Sequence, residues 1–87
     1  MWNYRILRFE NDGLSYFRLH EVYYKDESIM AWTENPATPF GETVNGLIKA
    51  LEMMLDDAKK SRKDVLDGDA PPWEKKRKKK NGTRRSR

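Results

Sequence analysis

The sequence contains no cysteine and only one histidine, His20, among its 87 residues. Without cysteine there are no disulfides and no cysteine-based zinc sites, which often stabilise very small domains. A domain of this size buries only about 60% of the surface that its unfolded chain exposes, so its stability alone is marginal. Self-association is the remaining source of stability, and a homodimer is therefore one prediction.

Long apolar runs are also missing. No segment approaches the roughly 18 apolar residues of a membrane span, and residues 1–5 lack the apolar stretch of a secretory signal. The sequence therefore predicts a soluble cytoplasmic protein without a membrane span.

Groups suited to catalysis are scarce. His20 is followed by Glu21, but adjacent residues of a strand point to opposite faces and cannot form a simple dyad. One histidine without clustered ligands makes a poor metal site. Neither a glycine-rich phosphate loop nor a His-Glu-x-x-His helix is present. We expect no enzymatic activity, no bound metal and no cofactor.

Charge is unevenly distributed along the chain. Residues 74–87 hold nine Lys or Arg and one Glu, a net charge of +8, whereas the whole chain carries +4. Residues 1–73 therefore carry −4. Since the tail has almost no apolar residues, it cannot bury enough surface to offset the entropy of ordering. We predict a folded domain over residues 1–67 and a disordered basic tail over 68–87.

The basic tail is the strongest functional feature of the sequence. A flexible polycation binds phosphates by releasing counterions, and nine contacts would give a log–log salt slope of about −8 on duplex DNA. A solubility tail, a tail that folds back on the acidic domain and one that binds anionic lipid are the alternatives. The predicted nucleic-acid contacts, to DNA or RNA, are Lys75, Lys76, Arg77, Lys78, Lys79, Lys80, Arg84, Arg85 and Arg87. Residues 71–73 are either a docking motif or a stiff spacer that packs lightly on the domain.

Three strands and one helix are indicated before the tail. Residues 2–9, 14–24 and 29–33 are rich in aromatic and β-branched residues and are separated by polar turns, the first containing Asp12-Gly13. Thr43 is the predicted N-cap of a helix over 44–60, whose apolar face comprises Val44, Leu47, Ile48, Leu51, Met54, Leu55 and Ala58. Residues 64–67 suggest a short fourth strand. The predicted fold is an α+β antiparallel meander (βββα) with the helix on one face.

Aromatic residues occur on both faces of the predicted strands. One helix covers only one face of such a sheet, so the uncovered rings must meet water, a second copy or a partner. The alternative is that residues 35–42, including Phe40, fold over that face. The predicted partner-binding residues are Trp2, Tyr4, Tyr16, His20, Tyr24 and Trp32.

The order Asn-Tyr-Arg (3–5), His-Glu-Val-Tyr-Tyr (20–24), Trp-Thr-Glu-Asn-Pro (32–36) and Gly-Glu-Thr (41–43) resembles a group of short bacterial and phage proteins with this layout. The order of elements, with Gly-Glu-Thr before an amphipathic helix, is also similar to the partial RNase-H-like domain of HicB antitoxins. That likeness implies an inactive fold that binds a small toxin ribonuclease and often dimerises. HicB proteins commonly append a folded DNA-binding domain, which the basic tail would replace.

Taken together, these features predict a small non-catalytic adaptor or regulator. It would bind a protein partner through the aromatic face of the sheet and contact nucleic acid through its tail. The alternative is an RNA- or single-strand-binding protein whose sheet aromatics stack on bases.

Overall fold

The computed structural model describes residues 1–74. In chain order the elements are β1 (Trp2–Asn11), β2 (Leu14–Lys25), β3 (Ser28–Trp32), α1 (Val44–Lys60) and β4 (Leu66–Asp67). The four strands form one mixed sheet in the order β3-β2-β1-β4, and α1 packs chiefly against β1. The predicted α+β class is confirmed, with its antiparallel meander, single amphipathic helix and short fourth strand.

Both hairpins turn through two residues with positive φ. Asp12 and Gly13 have φ of 55° and 82°, and Asp26 and Glu27 have φ of 53° and 67°. Positive φ at both central residues is typical of a type I′ turn, whose twist matches that of the flanking strands. The second turn reaches this geometry without glycine, so Glu27 adopts a left-handed conformation that side chains disfavour.

The outer edge of β1 is covered by side chains as well as by β4, which pairs with it in parallel. The amide of Tyr4 donates to Oδ2 of Asp57 at 3.1 Å, and the amide of Ile6 donates to Oγ of Ser61 at 3.2 Å. These bonds satisfy donors on a strand edge that would otherwise be open to another chain. They also hold the last turns of α1 beside β1.

The start of α1 is fixed by a cap and by a close backbone contact. Oγ1 of Thr43 accepts from the amide of Gly46 at 2.9 Å, which confirms the predicted N-cap. A Cβ at Gly41 would collide with the backbone of Leu47, so the linker passes directly against the first turn. Phe40 remains 73% exposed. Phe40 therefore gives the sheet little cover, although the amide of Ala37 in the same segment donates to the carbonyl of Leu19 in β2 at 2.7 Å.

The packed part of the chain continues past residue 67, beyond the predicted boundary. Asp69 accepts from the amide of Glu10 at 2.9 Å, and Gly68 lies against the ring of Phe9. The indole of Trp73 meets that of Trp32 edge to face, with ring centroids 4.8 Å apart. Trp73 thus packs on the domain, as the spacer interpretation predicted. The rest of the predicted tail, residues 75–87, lies outside the described residues.

The hydrophobic core of the described chain is small. Only Leu7, Val22 and Met54 are buried hydrophobic residues within positions 1–74, and His20 and Ser61 are the buried polar ones. No helix in this part of the chain is long and apolar enough to cross a membrane. Much apolar surface is therefore left outside the core.

Candidate protein-binding surface on the helix

A regular row of uncovered apolar residues lies on α1. Met54 is the buried residue of this helix. Beside Met54, Leu47 is 36% exposed, and four further residues of the apolar face are more open to solvent, with exposed fractions of 76% for Val44, 46% for Ile48, 46% for Leu51 and 57% for Leu55. We call these four residues the α1 strip. An amphipathic helix normally turns such a face toward the protein interior.

The orientation of α1 explains why the strip is uncovered. The side of α1 that faces the body of the protein is marked by Met54, which is buried. Asp57 and Ser61 lie on the same side, since both accept hydrogen bonds from β1. Successive helical residues are about 100° apart, so Leu55 points roughly a quarter turn away from Met54. The apolar face of the helix is thus wider than the surface of β1 available to cover it.

The strip has the spacing of a helix-packing interface. Its residues are separated by four, three and four positions, the alternation found at the a and d positions of a coiled coil. The residues that border it on the solvent side are Asn45, Glu52 and Lys59, one neutral, one acidic and one basic. On the other side it is bordered by Leu47 and Met54. An apolar row with a polar margin can pack along another helix.

Met53 provides an internal comparison for the strip. It is also apolar and 48% exposed, nearly the same fraction as Leu51. Two helical steps separate the residues, which places them on opposite sides of the helix axis. Met53 is isolated among polar residues, and a single exposed apolar side chain needs no partner.

The strand register divides the sheet aromatics between two faces. Residues directly opposite each other in an antiparallel pair share a face. Arg5 is opposite His20, and Phe9 is opposite Tyr16; we call the face that carries these four residues the histidine face. Tyr4 is opposite Glu21 on the other face, which we call the tyrosine face.

The six residues predicted to bind a partner do not form one surface. Four belong to the histidine face (Tyr16, His20, Tyr24 and Trp32), whereas Trp2 and Tyr4 belong to the tyrosine face. This corrects the expectation of a single aromatic surface, because alternation along two paired strands separates the two groups. Trp2 and Tyr16 are about 40% exposed.

His20 is only 1% exposed, so it cannot contact a partner from this position. Its Nδ1 lies 2.8 Å from the carbonyl oxygen of Thr33. Because a carbonyl only accepts, Nδ1 carries the proton, and the buried Nε2 has no hydrogen-bond partner among the described residues. Burial lowers the pKa of His20 below 6.5; the bond to Thr33 opposes this change and the charge of Arg18 adds to it. His20 is a structural residue of the histidine face.

The other rings of the histidine face are engaged by neighbours within the chain. Phe9 and Tyr16 stack with centroids 5.6 Å apart, and the guanidinium of Arg18 lies 4.3 Å from the centre of the Phe9 ring. Arg18 thus forms a cation–π contact with the ring of Phe9. The hydroxyl of Tyr24 accepts from Nη1 of Arg5 at 2.9 Å and donates to Asn3.

On the tyrosine face, the hydroxyl of Tyr23 donates to Glu21 at 2.6 Å, and this bond raises the pKa of Tyr23. Burial raises the pKa of Tyr4, with smaller contributions from the carboxylates of Glu21 and Asp57. Both phenols stay protonated at neutral pH. The rings of this face are therefore neutral surfaces that offer hydroxyl groups.

The described surface also has two concave features that adjoin these elements. A polar hollow of about 240 Å³ lies beside Arg5, between β1 and the end of α1. An open groove of about 620 Å³ runs along the edge strand β3 and is lined by Glu27, Ser28, Ile29, Met30, Pro72 and Trp73. Within residues 1–74 no three His, Asp or Glu side chains are grouped to hold a metal ion. The nine predicted nucleic-acid contacts of the tail all lie outside these residues.

The sequence contained a sign of the α1 strip that sheet-centred reasoning missed. The apolar face of the helix comprises seven residues, more than a single neighbouring strand can cover along one edge. The sequence predicts a helix on one face of the sheet, where its apolar face would be covered. The edge bonds of Asp57 and Ser61 to β1 could not be predicted from composition or periodicity.

Comparisons of the chain with models of known protein families, with curated proteins and with solved structures find no match to any of them.

Proposed function

We propose that this protein is a small non-catalytic adaptor or regulator that docks a polypeptide on the α1 strip and is held near DNA or RNA by its basic tail. The observation that carries the proposal is the row of four exposed apolar residues on α1. Contiguous exposed apolar surface usually marks an interaction site in a soluble domain. The proposed docking surface is therefore on the helix and not on the sheet.

The two proposed binding activities use different physical forces and separate parts of the chain. Docking on the α1 strip removes apolar surface from water and depends little on salt. Binding of phosphates by the tail releases counterions and weakens steeply with salt. Since residues 1–73 carry −4, the domain itself contributes little attraction for nucleic acid. An adaptor needs this independence, because each partner can bind without displacing the other.

The resemblance to HicB antitoxins suggests a more specific form of the proposal. The observation that supports it is that three strands precede an amphipathic helix that begins directly after Gly41-Glu42-Thr43. An antitoxin-like regulator, bacterial or phage-encoded, would bind a small toxin ribonuclease. Its tail would act in place of an appended DNA-binding domain.

The tail is tested by replacing its nine basic residues with Gln in the full-length chain. Binding to a fluorescent DNA duplex is measured by anisotropy between about 50 and 200 mM salt, where a tail of this charge should lose on the order of 10³-fold or more in affinity. The Gln variant should lose most of the affinity and of the salt slope. Equal binding by the two proteins would remove the tail from the proposal.

The docking surface is tested with a photo-crosslinking amino acid placed at position 51 or at position 53 in living cells. Both positions are about half exposed, so the labels have similar access to solvent. The proposal predicts one discrete cross-linked product from position 51 and none from position 53. Equal cross-linking from the two positions, or none from either, would contradict docking on the α1 strip.

Base stacking on the sheet is the second candidate, since Trp2 and Tyr16 keep about 40% of their surface exposed. These two rings belong to opposite faces, and Arg18 lies over the ring of Phe9 on the histidine face; on the tyrosine face Phe17 is also 59% exposed. Titration of the Gln-tail variant with a single-stranded oligonucleotide separates the candidates. Quenching of tryptophan fluorescence in that variant would favour stacking.

A further inference from the structure

We infer that the polypeptide docked on the α1 strip is a second copy of this chain, and that the protein acts as a two-fold symmetric dimer carrying two basic tails. The inference rests on the proposed function of the strip and adds the identity of its occupant. A two-fold interface uses the same patch on both copies, so it closes on itself and does not propagate into fibres.

The size of the core is the first argument for a second copy. Only Leu7, Val22 and Met54 are buried hydrophobic residues within the described chain, and the sequence has no cysteine to form disulfides. A core this small needs additional burial from outside the monomer. A second copy is the one partner present whenever the protein is made. The strip offers more apolar residues than the core itself contains.

The geometry of the strip is the second argument. α1 has 17 residues, a length of roughly 25 Å, and the four-three-four spacing is the same when the helix is read in either direction. In an antiparallel pair, Val44 meets the partner's Leu55 and Ile48 meets the partner's Leu51. Every residue of the strip then faces an apolar residue.

The charges beside the strip are compatible with this pairing. In the same antiparallel register Glu52 lies nearest the partner's Asn45, so an acidic residue faces an amide and not another acid. Lys59 lies beyond the paired part of the strip. Like charges facing each other across such an interface would oppose association, and this register brings none together along the strip.

A dimer changes how the tails bind nucleic acid. Two tails on one particle make the second phosphate contact intramolecular, which raises apparent affinity by about 10²- to 10⁴-fold when both tails reach the same duplex. A monomer with a single tail lacks this gain. Dimerisation through α1 would therefore control the strength of nucleic-acid binding without altering the tail.

The experiment is light scattering coupled to size-exclusion chromatography on the purified full-length chain over a concentration series. We expect a mass of twice the 10.4 kDa chain at high concentration, falling toward 10.4 kDa on dilution. Leu51→Lys should give 10.4 kDa throughout, whereas Met53→Lys should match the unmodified protein. A monomeric unmodified chain at every concentration, or a dimeric Leu51→Lys variant, would overturn the inference.

Val44→Glu keeps the test informative if Leu51→Lys fails to fold. Val44 is 76% exposed, and an acidic residue suits the first turn of a helix, so the monomer should remain folded by circular dichroism. This variant should also be monomeric, and a dimeric Val44→Glu would overturn the inference. If the purified chain is monomeric but position 51 still cross-links another protein in cells, the inference fails and the proposed function stands. If that cross-link is also absent, both fail.

Discussion

His20 couples the stability of this fold to pH through a single buried ring. Its Nδ1 donates a hydrogen bond to the carbonyl of Thr33. Its Nε2 is buried and has no hydrogen-bond partner among the described residues. A proton added to Nε2 would be buried near the charge of Arg18. It would also be near Arg5, which lies opposite His20 on β1. The folded protein therefore resists protonation of this ring more than the unfolded chain does.

The sign of the pH effect follows from that resistance. The unfolded chain binds a proton at His20 near pH 6.5, whereas the folded-state pKa is lower. Stability is thus full above about pH 6.5 and declines as the pH falls through the folded-state pKa, by at most about 1.4 kcal/mol per pH unit. Urea unfolding from pH 8 to pH 5 should show this decline.

His20→Asn is the matched variant, because its side-chain amide can still donate to Thr33 but does not titrate. It should be less stable at pH 8, since the smaller side chain leaves a void. Its free energy of unfolding should change much less between pH 7 and pH 5. His20 is the only histidine in the chain, so an equally steep decline in this variant would show that another group is responsible.

Glu27 illustrates backbone strain at a single residue. Its φ of 67° lies in the left-handed region, which costs a side-chain-bearing residue roughly 1–2 kcal/mol. Glu27→Gly should remove this cost, and a gain of up to about 1 kcal/mol should remain after the extra freedom of glycine in the unfolded chain. Thermal unfolding would record a higher midpoint; a lower midpoint would contradict the assignment of strain.

At the scale of elements, α1 is positioned by hydrogen bonds to β1 as much as by apolar packing. Ser61 is 3% exposed, accepts from the amide of Ile6 and donates to the carbonyl of Ala58. It therefore joins the end of the helix to the edge of the sheet. This joint leaves the α1 strip directed away from β1.

Ser61→Ala tests the joint. Removal of Oγ leaves the amide of Ile6 without its acceptor at a partly buried edge, and the expected cost is about 1–3 kcal/mol. Arg62→Ala is a suitable control, because the neighbouring residue is exposed. If both variants unfold at the same urea concentration, the edge bond does not hold α1 in place.

Most of the elements could be predicted from the sequence, because each has a local cause. Runs rich in aromatic and β-branched residues indicated the strands, the Asp-Gly pair indicated the first hairpin, and Thr43 indicated the start of α1. The covering of β1 by Asp57 and Ser61 joins residues more than 50 positions apart, and no local pattern encodes it. The division of aromatics between two faces likewise depends on the register between strands.

For the whole molecule, the charge on the chain and the apolar surface on the helix act in different places. The acidic domain carries the α1 strip, and the excess of positive charge follows Trp73 in sequence. Trp73 packs on Trp32 beside the edge strand β3. The proposed docking and nucleic-acid contacts can therefore be altered by separate substitutions.

The most direct test of the central claim uses the absence of cysteine. Leu51→Cys and Met53→Cys place a single thiol on opposite sides of α1, at residues exposed by 46% and 48%. The rate of reaction with a thiol reagent is then measured as protein concentration rises. We expect Cys at position 51 to react progressively more slowly while Cys at position 53 keeps a constant rate. Constant and similar rates at both positions would mean that no second copy covers the α1 strip, and would contradict the dimer.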